Sequence, residues 1–206
     1  DWQIWDLYLA NDLTIYHLNK SIGLTDFIHF YIDGKITSSA QRALAFTWEG
    51  QKVVFETIVS GDLGKLDFQN QQTPLTFMLM VPFSYLSLQT AHLVFIIVTT
   101  IFGLWAAWLL AKQLKYSEKI ITKIILLGIL ASGASWRIWT QGQLVWFLFG
   151  LICIYFIGIL NKRNLVSGIA LAFTVVRPHY TLFLLIPAIA FKRYKLLFIA
   201  FITDCF

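Results

Sequence analysis

The sequence predicts an all-α, polytopic integral membrane protein, and three observations carry that prediction. Hydrophobic residues make up 58% of the 206-residue chain, charged residues only 13%, and the mean hydropathy is +0.69. Such a composition is far from that of an ordinary soluble domain. Gln89 to Ala111 runs for 23 positions without Asp, Glu, Lys or Arg, enough at ~1.5 Å per residue to cross a hydrocarbon core of roughly 30 Å. The basic residues of the second half fall in short clusters between apolar runs, the pattern of loops that stay on the cytoplasmic side.

The chain divides into two unlike regions. Residues 1–74 carry nine acidic side chains against five basic ones, and no uncharged stretch there is long enough to cross a bilayer. This part is expected to be an extracytoplasmic or interfacial loop region. Residues 75–206 hold two acidic residues, Glu118 and Asp204, against eleven basic ones. They are expected to form a multi-helix transmembrane region with segments near 75–88, 89–111, 120–134, 144–160, 165–176, 180–191 and 196–206. The net charge of +5 is therefore a balance between opposite halves, not a nucleic-acid footprint. The first residue is Asp1, and the last apolar run, Leu196 to Ile202, covers only about two helical turns, so the chain reads as a fragment truncated at both ends. Cys153 and Cys205 sit in apolar runs far apart and read as small buried hydrophobes.

The basic clusters give a topology. Lys112, Lys115, Lys119 and Lys123 follow the first long helix, Lys162 and Arg163 follow 144–160, and Lys192, Arg193 and Lys195 follow 180–191. With all three on the cytoplasmic side, the turns Ser135 to Gln143 and Arg177 to His179 face outward together with the acidic N-terminal region. Twelve-residue segments such as 165–176 and 180–191 reach only about 18 Å as helix. The Arg177-Pro178-His179 turn would then lie below the outer surface, where charge and irregular backbone survive only against protein or a water-filled cavity.

Three clusters on that outer side carry the candidate chemistry. Asp26 stands in Thr25-Asp26-Phe27-Ile28-His29-Phe30-Tyr31. If this piece is helical, His29 and Phe30 share its face, and a partly desolvated Asp26 would suit a general base taking a proton from an attacking hydroxyl. An interfacial amphipathic helix with Asp near its N-cap is the plainer alternative. In Trp136-Arg137-Ile138-Trp139-Thr140-Gln141-Gly142-Gln143 the tryptophans suit a membrane interface. The amides around Gly142 suit sugar hydroxyls or a phosphate. In Arg177-Pro178-His179-Tyr180 a fixed cation beside a kink suits a lipid-linked phosphate, with an Arg snorkelling to the surface as the alternative. The candidate substrate-binding side chains are thus His29, Tyr31, Arg137, Gln141, Gln143, Arg177 and His179, with Asp26 as the candidate catalytic residue. No metal-ligand spacing accompanies them, and no glycine-rich nucleotide loop is present: Gly61-Asp62-Leu63-Gly64 and Gly133 do not match one.

The order of these features resembles the polyprenyl-phosphate-sugar-dependent glycosyltransferases of the GT-C class, most closely glycosyltransferase family 87, the mannosyltransferase-like proteins. The matching residues are Asp26-Phe27 with Tyr31, Thr73-Pro74-Leu75, Gly142-Gln143 and Arg177-Pro178. The chain departs from the family pattern at Gln72-Thr73-Pro74, at Val145 and in carrying Arg177 before the proline. The resemblance implies inverting transfer of a hexose, mannose above all, from a polyprenyl-phosphate donor to a lipid or glycan acceptor at the extracytoplasmic face of the cell membrane. Asp26 would match the general base, and Arg177 with His179 would hold the donor phosphate. The lipid-linked sugar is a substrate, and no separate cofactor is implied. A secondary transporter or lipid flippase would also show short broken helices, but its site should recur in two related halves, and no internal repeat is evident. A structural membrane subunit would leave the placement of Arg177 without a purpose.

Overall fold

The computed structural model describes residues 25–39, 42–44, 46–58, 72–114, 128, 130 and 132–205, and the described residues are helical with no strand. The elements are α1 (Thr25–Ser38), a 3-10 turn (Arg42–Leu44), α2 (Trp48–Ile58), α3 (Pro74–Ser84), α4 (Leu88–Gln113), α5 (Gly133–Gln141), α6 (Val145–Leu160), α7 (Asn164–Phe173), a second 3-10 turn (Thr174–Val176), α8 (Pro178–Ala190) and α9 (Tyr194–Cys205). Most of the expected segment over 120–134 falls outside the described residues. Lys115, Lys119, Lys123 and the Gly61–Gly64 patch lie outside them too.

Local sequence sets many of these boundaries. Thr47, Ser87 and Ser132 each precede a helix and accept, through the side-chain oxygen, the main-chain N–H three residues on: Gly50 at 3.2 Å, Thr90 at 3.3 Å and Ser135 at 3.2 Å. Each hydroxyl thus satisfies one of the N–H groups that a helix start leaves without an intrahelical partner. Pro74 and Pro178 open α3 and α8 at the first helical position, where the missing N–H costs nothing and the fixed φ suits the helix.

The chain falls into two compact units, Asp1–Ile96 with Trp139–Gln143, and Ile97–Ile138 with Leu144–Phe206. In the first, α1 packs on α3. Phe27, Ile28, Phe30, Tyr31, Ile32 and Ile36 are all buried, so α1 is covered nearly all round. An interfacial amphipathic helix would leave one face open, and α1 does not. Gly34 lets α1 approach α3 at Met80, where a Cβ would strike the main chain. The Tyr31 hydroxyl donates to the Leu86 carbonyl at 2.7 Å, at the end of the α3–α4 corner.

In the second unit Tyr155, Leu171, Leu184, Ala188 and Leu196 form a buried core. The Tyr155 hydroxyl donates to the Leu184 carbonyl at 2.6 Å, one turn before Pro187 breaks the α8 ladder. Ser167 donates to the Tyr155 carbonyl at 3.0 Å and fills the space beside Gly158. The α6–α7 and α8–α9 turns are built alike. Arg163 N–H donates to Gly158 and Lys162 N–H to Ile159; Arg193 N–H donates to Ala188 and Lys192 N–H to Ile189. These are Schellman closures, with Lys162 at φ 55° and Lys192 at φ 53° in the left-handed position. Gly168, one turn into α7, lies against the Leu196 carbonyl and Ile199 in the first turns of α9. The two Lys-Arg turns therefore sit at the same end of this unit.

α4 is 26 residues long and is the one described helix both long and apolar enough to cross a membrane; Pro74–Ser84, Val145–Leu160, Asn164–Val176, Pro178–Ala190 and Tyr194–Thr203 are shorter apolar helices.

Candidate functional site

Three stretches far apart in sequence meet within the first unit. Phe27 follows Asp26 on α1, His92 lies one turn into α4, and Gly142 precedes Gln143 in the turn after α5. Phe27 is 0% exposed, and its ring stands 4.7 Å from the His92 ring and 5.3 Å from the Phe95 ring. Phe95 continues the stack to Phe83 at 5.5 Å, edge on. Such tilted and edge-on pairs align the positive rim of one ring with the negative face of the next.

Gly142 closes this arrangement. Its φ of +61° is a left-handed conformation, and its N–H donates to the Trp139 carbonyl at 3.3 Å. A Cβ here would lie 2.6 Å from Phe27 Cβ and 2.8 Å from the His92 Cδ2 and Nε2 atoms. Both the backbone angle and the close approach to α1 and α4 demand glycine. Beyond it, the Gln143 Nε2 donates to Gln141 Oε1 at 2.8 Å. The two half-buried amides are thereby held as a pair.

The other expected residues are placed as follows. Asp26 lies in the first turn of α1, and the side chains of Asp26 and Arg137 lie outside the described ones. His29 is half-buried one turn along α1. Tyr31 is buried, its hydroxyl engaged by Leu86, and Lys35 Nζ lies 5.4 Å from its ring centroid. Burial raises its phenol pKa above the ordinary value. Arg177 and His179 belong to the second unit. Arg177 precedes α8 at φ −133° and ψ 88°, outside the helical region, and its carbonyl accepts the Tyr180 N–H at 2.9 Å. His179 is exposed, its ring 4.5 Å from that of Tyr180. Thr174 and Thr181 hydrogen-bond across this break at 2.9 Å, which ties the 3-10 turn to α8.

Two residues of the first unit went unnoticed in the sequence. His92 is a lone titratable residue in an apolar span, and that interruption was its available signal. Asp33 stands two turns below Asp26 on the same helix face. It is 0% exposed, and burial pushes its carboxyl up to about 9, so it is protonated near neutral pH. Among the described residues no three of His, Cys, Asp and Glu come together as a metal site.

No curated protein and no solved structure matches the chain. The family model of Glycosyltransferase family 87 matches residues 72–204. That span covers more than half of the chain and includes His92, Gly142-Gln143 and Arg177-Pro178, while Asp26-Phe27 lies ahead of it. The chain belongs to glycosyltransferase family 87, and it is a glycosyltransferase.

Proposed function

We propose that this chain is part of a polytopic, GT-C-type membrane enzyme that transfers a hexose, mannose above all, from a polyprenyl-phosphate donor to a lipid or glycan hydroxyl at the extracytoplasmic face. The observation that carries this reading is the meeting of Phe27, next to Asp26, with Gly142, next to Gln143, inside one unit. A proton acceptor and a sugar-binding amide pair are the parts that the transfer asks for. Supporting it are the family membership, a described helix long and apolar enough to cross a bilayer, and the two Lys-Arg turns at a common end of the second unit.

The chemistry is a single displacement. Asp26 takes the proton of the acceptor hydroxyl, and that oxygen forms a bond to the anomeric carbon. The bond from that carbon to the phosphate oxygen breaks, and polyprenyl phosphate leaves with the electron pair. Attack opposite to the leaving group inverts the anomeric configuration. Gln141, Gln143 and Arg137 bind sugar hydroxyls or the donor phosphate; Arg177 and His179 neutralise the departing phosphate. Such a site works by orientation, proton removal and charge stabilisation. His29 lines the Asp26 side of α1, and Tyr31 holds that helix to the α3–α4 corner.

Donor class is the first thing to test. Membranes carrying the full-length protein are given labelled polyprenyl-phosphate mannose or, separately, the corresponding nucleotide sugar with lipid-carrier synthesis blocked. Transfer from the lipid-linked donor alone, giving an inverted product by NMR, is expected. Direct use of the nucleotide sugar, or a product of retained configuration, would overturn the mechanism.

A further inference from the structure

His92 touches both short motifs of the first unit. It is 2% exposed, and it stands in a stretch that carries no Asp, Glu, Lys or Arg as far as Ala111. Its ring packs 4.7 Å from that of Phe27, the neighbour of Asp26. Its Nε2 edge faces Gly142, the neighbour of Gln143, so closely that a Cβ there would be 2.8 Å away. The imidazole also lies beside the Trp139 main chain, whose carbonyl holds the Gly142 N–H. A leucine or phenylalanine would fill the space beside Phe27 without burying polar nitrogen atoms, which is unfavourable unless they are engaged. What imidazole adds is a polar ring edge set against the main chain of the turn.

We propose that His92 is a positioning residue of the transferase site: it fixes the Trp139–Gln143 turn against the Asp26–Phe27 end of α1 and thereby sets where the Gln143 amide stands. The proposal rests on the roles given above to Asp26 and Gln143. A displacement of about 1 Å in such a constellation costs on the order of 10²-fold in rate, so the effect belongs in kcat.

The test uses the full-length protein in membranes with labelled polyprenyl-phosphate mannose, comparing wild type, His92→Phe, His92→Gln, Gln143→Ala and the His92→Phe/Gln143→Ala double variant, with Asp26→Asn as reference. His92→Phe is expected to lose about 10–100-fold in kcat with the donor KM within about threefold of wild type. His92→Gln, which keeps a polar N–H at this position, is expected to recover most of that loss. The double variant should fall no more than about threefold below the weaker single variant, because residues acting through one turn are not additive. Wild-type kcat in His92→Phe, equal impairment of the Phe and Gln variants, or losses that multiply in the double variant would each overturn the proposal. So would apolar variants that fail to accumulate beside a fully active His92→Gln, since His92 would then serve folding and not the placement of the turn. Activity surviving in Asp26→Asn would instead remove the transferase mechanism itself; an inactive Asp26→Asn beside a fully active His92→Phe removes only the role of His92.

Discussion

Asp33 shows how one buried group changes the response of the whole unit to pH. An aspartate in an unfolded chain titrates near 3.9, whereas burial pushes the Asp33 carboxyl up to about 9. Between these values the unfolded state has released a proton that the folded state keeps, so stability falls as pH rises, down to its lowest level near pH 9. Asp33→Asn removes that slope. The variant is expected to be more stable than wild type at pH 8, by on the order of a few kcal/mol, with the difference shrinking toward pH 4. Thermal unfolding in detergent at pH 5 and pH 8, followed by tryptophan fluorescence, measures this; a variant less stable than wild type at pH 8 would show that Asp33 is held as a carboxylate. Residues of this kind were only partly legible in the sequence. Gly142-Gln143 stood out because an amide beside glycine between two apolar runs has an evident chemistry. His92 and Asp33 did not, because what distinguishes them is burial, for His92 against Phe27 and Gly142, and the folded chain rather than the local sequence supplies it.

At the scale of elements, charge patterning explains what could be read and what could not. The uncharged run Gln89 to Ala111 made α4 plain, whereas the caps at Thr47, Ser87 and Ser132 show only in the structure. α1 was harder. Its sequence mixes Asp26, His29, Asp33 and Lys35 with bulky apolar residues, so its helix could be stated only as a condition and its all-round burial not at all. Likewise α5 occupies a stretch that reads as a turn, because it is only nine residues long and mixes Trp136, Arg137 and Trp139 with small and polar residues between two apolar runs. The pinning of α1 by Tyr31 gives a prediction at this scale. Tyr31→Phe removes the 2.7 Å hydrogen bond and leaves the Leu86 carbonyl without that donor. A loss of about 1–2 kcal/mol is expected, with activity falling less than tenfold because the hydroxyl serves the helix and not the sugar. Unfolding and transfer assays on one preparation check it. A loss beyond about 100-fold at unchanged stability would place the Tyr31 hydroxyl on the substrate.

For the molecule as a whole, the all-helical class followed from composition, since a chain this apolar must satisfy its backbone internally. The basic turns had a physical meaning that the structure makes concrete: Lys162-Arg163 and Lys192-Arg193 close two hairpins by the same hydrogen bonds, and the contact of Gly168 with Leu196 and Ile199 brings them to one end of their unit. In the proposed topology that end is cytoplasmic. A cysteine at Gln141 is therefore expected to react with an impermeant thiol reagent added to intact cells, and one at Asn161 to react only after permeabilisation. The opposite pattern would reverse the orientation.

The most direct test of the central claim is transfer by the full-length protein and its Asp26→Asn variant at equal expression, from labelled polyprenyl-phosphate mannose to endogenous acceptors. Loss of the general base predicts a fall of about 10²–10⁴-fold in kcat with the donor still bound. Equal rates from the two proteins would contradict the assignment of Asp26 and the displacement built on it.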